Sequence, residues 1–287
     1  MTNSQPEAEN VVPGSLDQVA VTTRYTFLDY IRSRRFAILL ILMLIISAIL
    51  TFVFAWRRPE TALVDPLAFY STWWGMSATF VVILSGIFFG GDAISSEFQN
   101  RTGYFVLPNP VRRSSIYVGK YVAALIAASI VLLIFTLITV ANGLYYFGFN
   151  VPGAFWESAF FDWIYLLAVL GFTFFISSAF KSGAYSILVS AVFLLFGFSL
   201  IEDLVANLAN TEPWFVLSYG GEIVGNVLQA TYPQAVTKIC EPASCGPHSF
   251  TLTVYNVGVA EGLIILGAYF VVTAILGLFF FERKEFN

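Results

Sequence analysis

The sequence predicts an all-α integral membrane protein with six transmembrane helices. Three observations predict it. Of 287 residues, 58% are hydrophobic and only 11% are charged, whereas a soluble domain carries about 25% charged residues. A helix crossing hydrocarbon needs about 20 largely apolar residues. Six runs reach that length or nearly so: Phe36–Trp56, Tyr70–Gly91, Val118–Tyr146, Phe161–Phe180, Ala184–Ile201 and Gly262–Phe281. Finally, placing the N-terminus inside puts eleven of the fourteen Lys and Arg residues on the cytoplasmic side, leaving Arg57, Arg58 and Lys238 outside. That bias predicts both termini in the cytoplasm.

Residues 1–14 are polar, contain Pro and Glu, and read as a disordered tail. Residues 15–35 read as an amphipathic helix. Ser15-x-x-Gln18 has the form of a capping box. Leu16, Ala20, Thr23, Phe27 and Ile31 recur at helical spacing, with Asp17, Arg24 and Arg32 elsewhere around the wheel. Such a helix lies in the membrane interface with its apolar stripe down; a solvated lead-in to the first span is the plainer reading. Residues 36–287 then form one six-span domain. No cleavable signal peptide is expected, because the first apolar run begins only at Phe36 and no small-x-small site follows it.

The first span is apolar almost all round and ends at Trp56, an aromatic suited to the outer interface. The second adds Gly75, Ser77, Thr79, Ser85 and Gly86, small residues that permit close helix packing; a polar face lining a pathway is the alternative. The third is long enough to tilt or project beyond the bilayer. Lys181-Ser182-Gly183 is a tight inner turn, so the fourth and fifth spans form an antiparallel hairpin. Asp162 falls near the mouth of the fourth span, and Glu202 and Asp203 read as a solvated boundary of the fifth. No charge falls in the middle of a predicted span. Ion-coupled transporters usually need intramembrane carboxylates or His, so their absence counts against that class.

Two long intervals do not span. In residues 92–117, on the inner side, Ala93–Tyr104 reads as a short helix. Glu97 and Arg101 are four apart with the acid first, the favourable order for a helical pair. Gly103 can end that helix, and Pro108 and Pro110 forbid its continuation. Phe98 and Phe105 are natural apolar anchors for a partner. Arg112, Arg113 and Lys120 lead into the third span and have a plainer reading as inner-leaflet anchors. The outer interval, residues 202–261, contains Val216–Ala230, which is too short to span and suits a re-entrant or interface-lying segment. Cys240 and Cys245, the only cysteines, lie close together on the oxidising side and suit a local disulfide. With His248 they offer three ligands for a metal, the weaker alternative.

Several chemistries have no motif here. The chain contains no Gly-x-x-x-x-Gly-Lys-Ser/Thr phosphate loop, no His-Glu-x-x-His and no Gly-x-Ser-x-Gly. A single His leaves little for general-base or metal work. An enzyme is not expected, nor a cofactor bound by this chain.

Glu97, Thr102, Leu107, Pro110, Arg113, Gly119 and Lys120 fall at the spacing found between the second and third spans of type-2 ABC transporter permeases. The chain resembles that family. It departs from the pattern in placing Gly103 after the Thr rather than before it, and Pro108 where a small residue is usual. The resemblance implies a pair of six-span subunits, identical or different, with an ATP-binding subunit beneath each that holds the ATP and Mg. It implies a coupling helix in the 92–117 loop, with Glu97, Phe98, Arg101, Thr102, Phe105, Pro110, Arg113 and Lys120 facing or shaping that contact. It also implies an interfacial helix at 15–35, a multi-pass place in the plasma membrane of a prokaryote, and no nucleic-acid partner. The expected function is the permease subunit of an ABC exporter. A non-transporting membrane anchor or scaffold for a cytoplasmic ATPase is the alternative.

Overall fold

The computed structural model describes residues 14–57, 63–75, 77–99, 112–241 and 250–284. It contains six helical lengths long and apolar enough to cross a membrane. α1 (Ser15–Arg32) ends where Ser33 turns extended. The Ser33 hydroxyl donates to the Tyr30 carbonyl at 2.6 Å and accepts from the Phe36 N–H at 3.3 Å. One serine thus closes α1 and caps α2 (Arg34–Arg57), the first span. The capping box predicted at Ser15 does not form. Gly14 holds the cap position, and the buried Gln18 side chain instead accepts from the Arg112 N–H at 3.1 Å. α1 lies against the beginning of the third span, where the Thr23 hydroxyl donates to the Gly119 carbonyl at 3.2 Å. A Cβ at Gly119 would meet the Thr22 Cβ at 2.7 Å, so the approach depends on glycine.

The second span is α3 (Pro66–Trp74) followed by α4 (Ser77–Gly90). Asp65 caps it, accepting from the Ala68 N–H at 2.6 Å, and Pro66 opens it where a missing N–H costs nothing. α5 (Ser95–Gln99) follows after a turn. The third span, α6 (Arg113–Phe147), ends at Gly148, whose φ of 64° is the left-handed cap that glycine adopts without strain.

The fourth span, α7 (Gly153–Ala179), begins well before Phe161, because Pro152 already supplies the break that starts it. This corrects the placing of Asp162. It lies inside the helix rather than at its mouth, fully buried, and neither carboxyl oxygen has a hydrogen-bond partner among the described residues. A charge-bearing side chain therefore does sit within a span.

The fifth span is α8 (Gly183–Val192) and α9 (Phe198–Leu204), joined and followed by wide turns at Phe193–Gly197 and Val205–Ala209. In these the Phe198 N–H reaches back to the Phe193 carbonyl, and the Asn210 N–H to that of Val205. The helix thus continues past Ile201. Glu202 is half-buried within it, not a solvated boundary, while Asp203 is exposed.

Beyond it, α10 (Leu217–Gly221) and α11 (Ile223–Asn226) bury Leu217, Tyr219, Ile223 and Val224 against the fourth and sixth spans. The Ser158 hydroxyl donates to the Val224 carbonyl at 2.5 Å. A hairpin that the sequence reading did not predict follows, β1 (Val236–Glu241) against β2 (Phe250–Tyr255), with Cys240 opposite Thr251. The Thr253 N–H fastens it to the fifth span through the Asn207 side chain at 2.9 Å. Cys245 and His248 lie outside the described residues, and so does the predicted Cys240–Cys245 bridge. α12 (Val259–Arg283) is the sixth span.

Candidate coupling site

α4 ends at Gly90, and the chain turns through Gly91–Ile94 into the single-turn helix α5. Five amino acids cannot hold a helix by themselves. The neighbouring spans hold it instead. From the fourth, the Ser177 hydroxyl oxygen accepts from the Ile94 N–H at 2.9 Å and the Ser95 N–H at 3.0 Å, capping α5 from outside its own strand of chain. From the fifth, the Ser186 hydroxyl donates to the Gly91 carbonyl, and the Gly183 N–H donates to Gln99 Oε1 at 2.7 Å.

Two ion pairs complete the fastening. Arg35, at the beginning of the first span, donates to both Asp92 oxygens at 2.6 Å. Lys120 of the third span donates to Glu97 Oε1 and to the Ala93 carbonyl at 2.9 Å. The acids lie on the α4–α5 connection and the bases on the spans around it. The Lys120 and Glu97 side chains are only 12% and 25% exposed, so this pair is poorly screened.

The sixth span closes the far side. Phe98 packs edge-on to Phe281 with ring centroids 6.2 Å apart, and Lys284 Nζ sits 4.4 Å above the Phe98 ring. Lys284 also donates to the Ser178 and Phe180 carbonyls at 2.9 and 2.6 Å. Burial, and then the neighbouring Lys181 charge, pull Lys284 down to about 8. Arg113 donates to the Glu282 and Lys284 carbonyls at 2.8 and 3.2 Å, satisfying backbone at the end of α12.

Of the residues singled out from the sequence, Glu97, Phe98, Arg113 and Lys120 therefore converge. Arg101, Thr102, Phe105 and Pro110 lie outside the described residues, and with them the Glu97–Arg101 pair; the described partner of Glu97 is Lys120. Lys120 is turned inward onto α5 rather than out to a leaflet. Sequence reasoning missed Arg35, Asp92, Ser177, Ser186 and Lys284. Asp92 alone carried a signal, as the acid following the Gly90–Gly91 pair at the end of an apolar run. Nothing distinguished Ser177 or Ser186 from other serines in spans.

The arrangement holds no reacting groups in catalytic geometry. It is a short strut tied to the first, third, fourth, fifth and sixth spans, so a displacement of α5 is passed to all of them. No curated protein matches the chain. A family model described as ABC-2 family transporter protein matches residues 24–286, nearly its whole length. By that match the chain belongs to the ABC-2 family of transporter proteins, as a membrane-spanning permease domain.

Proposed function

We propose that this chain is the membrane subunit of an ATP-driven exporter. ATP and Mg bind a separate ATP-binding subunit, two permease copies pair, and this chain supplies the lever rather than the chemistry. The reading is carried by the fastening of α5 to five spans. A segment so tied converts a push from below into a change in how the spans pack, which is the two-state element that coupling requires. Both described chain ends lie at the end of the molecule richest in Arg and Lys, which the basic bias assigns to the cytoplasm. α1, with Leu16 and Tyr25 exposed, is placed to lie along the inner leaflet beside that end.

The test is photocrosslinking. A benzophenone amino acid replacing Phe105, in chain coexpressed with its ATP-binding subunit, is expected to give a crosslinked band containing that subunit. A complex that copurifies intact yet gives no crosslink from any position between 100 and 107 would overturn this docking assignment.

A further inference from the structure

At the opposite end of the spans, three hollows open side by side around α9. The first, about 370 Å³, lies between α10–α11, Thr79, Tyr165 and Ser199. The second, about 340 Å³, runs between α9 and β2. Glu222 lines both. The third is a groove of about 510 Å³ along the fifth span, lined by Leu195, Phe196, Leu200, Leu204 and Leu208. Ser199 borders the first hollow and the groove, and Asp203 and Asn207 border the second hollow and the groove. Polar and apolar spaces are therefore contiguous. The two wide turns on either side of α9 are of a kind that recurs at functional sites.

Within the polar part, the Glu202 and Glu222 carboxyls are hydrogen-bonded to each other, and the Ser218 hydroxyl donates to Glu202 Oε2. Two carboxyls in contact are held by one shared proton, which leaves a single negative charge on the pair. Burial first, then the Glu202 charge, push the Glu222 carboxyl up to about 9. The other ionisable groups around it are Asp203, Glu212, Glu261, Tyr165, Tyr219 and Tyr232, none of them a base. A second observation points to a ligand. Asn226 is only 7% exposed and lines the first hollow, yet its amide nitrogen has no hydrogen-bond partner among the described residues. A buried donor without an acceptor is costly, and a ligand oxygen would satisfy it.

We propose that this site binds a single-chain amphiphile whose head is a protonated amine with a neighbouring hydroxyl oxygen. The ammonium takes the place of the proton shared by Glu202 and Glu222. That proton leaves to water, so one positive charge enters as one departs. The hydroxyl oxygen accepts from Asn226, and the alkyl chain lies in the groove beyond Ser199. The amphiphile is a cargo only if the transport reading holds; binding itself needs neither ATP nor a partner subunit.

The probe is 1-amino-2-dodecanol, added to the full chain in phosphatidylcholine nanodiscs without the ATP-binding subunit, with thermal unfolding as readout. It is expected to raise Tm by several degrees, whereas 1-dodecanol and dodecyl sulfate leave it unchanged. Because binding releases a proton, affinity should rise close to tenfold per pH unit between about pH 7 and 8. Glu222→Gln should weaken it at least tenfold, and Ser199→Phe, which fills the junction, should do the same without touching the carboxyls. Equal responses to dodecanol would overturn the proposal, and so would an unchanged response in Ser199→Phe or a pH-independent affinity. Loss of the response in phosphatidylethanolamine discs would overturn the single-chain assignment in favour of a bilayer lipid. A negative result alongside an intact Phe105 crosslink leaves the transport reading standing and removes only this one.

Discussion

Lys120→Met is expected to destabilise the protein by about 3 kcal/mol and to free α5 from the third span. Removing one partner of a buried ion pair costs about 3–5 kcal/mol, because the other charge stays buried without compensation. Glu97 retains some water, so the lower end applies. The Ala93 carbonyl loses its Lys120 donor in the same step. Glu97→Gln should cost less, since the amide oxygen still accepts from Lys120. Arg35→Met should also cost less than Lys120→Met, because half of the Arg35 side chain faces solvent, where such pairs are weak. Thermal unfolding in detergent gives the ranking, and amide hydrogen exchange over residues 93–99 gives the local effect. If Lys120→Met exchanges there like the parent, this pair does not hold the strut.

The second large effect is expected at Gly90. A Cβ there would lie 2.1 Å from Thr173 Oγ1 and 3.0 Å from Thr173 Cβ, with Phe174 at 3.3 Å. Gly86, one turn earlier, meets Val169 at 2.4 Å on the same seam between α4 and α7. Thr173 and Phe174 are themselves buried, so neither side chain has free space to enter. Overpacking a close-packed core costs about 1–3 kcal/mol, and Gly90→Val adds two further methyls, so its cost should reach or pass the upper end of that range. The seam would have to open at the point where α4 hands over to α5. Gly90→Ala combined with Thr173→Gly should recover most of the loss that Gly90→Ala shows alone. A Gly90→Val protein with the parent's Tm would show that α4 and α7 do not approach as described.

The spans were legible because the bilayer demands long apolar helices, and Phe36–Trp56 or Gly262–Phe281 admit no other reading. Their ends were less so. Glu157 and Asp162 lower the apolarity of the first turns of α7, and Glu202 and Asp203 do the same late in the fifth span, so hydropathy placed each limit at the wrong residue. The helix itself runs on, because it is held by its own backbone bonds and by neighbours such as α10 and α11. The β1–β2 hairpin was missed although Phe250-Thr-Leu-Thr-Val-Tyr carries the β-branched and aromatic residues of a strand. At the coupling site, Glu97 and Lys120 were both visible as residues, but their contact was not. Local spacing favoured Arg101 as the partner, four residues away, whereas the fold brings Lys120 from the next span. Ser177 and Ser186 act only through where α7 and α8 place them, and no sequence pattern records that.

The central claim is that ATP binding by the partner subunit moves α5 and that the spans follow. Its most direct test is a distance measurement by double electron–electron resonance in the assembled complex. Spin labels are placed at Gln99 and Arg32, in chain lacking Cys240 and Cys245. On trapping ATP, the distance distribution should shift to a second, discrete population, and Lys120→Met should broaden that population or abolish it. A single distribution, unchanged between nucleotide-free and ATP-trapped complexes that still hydrolyse ATP, would contradict the account.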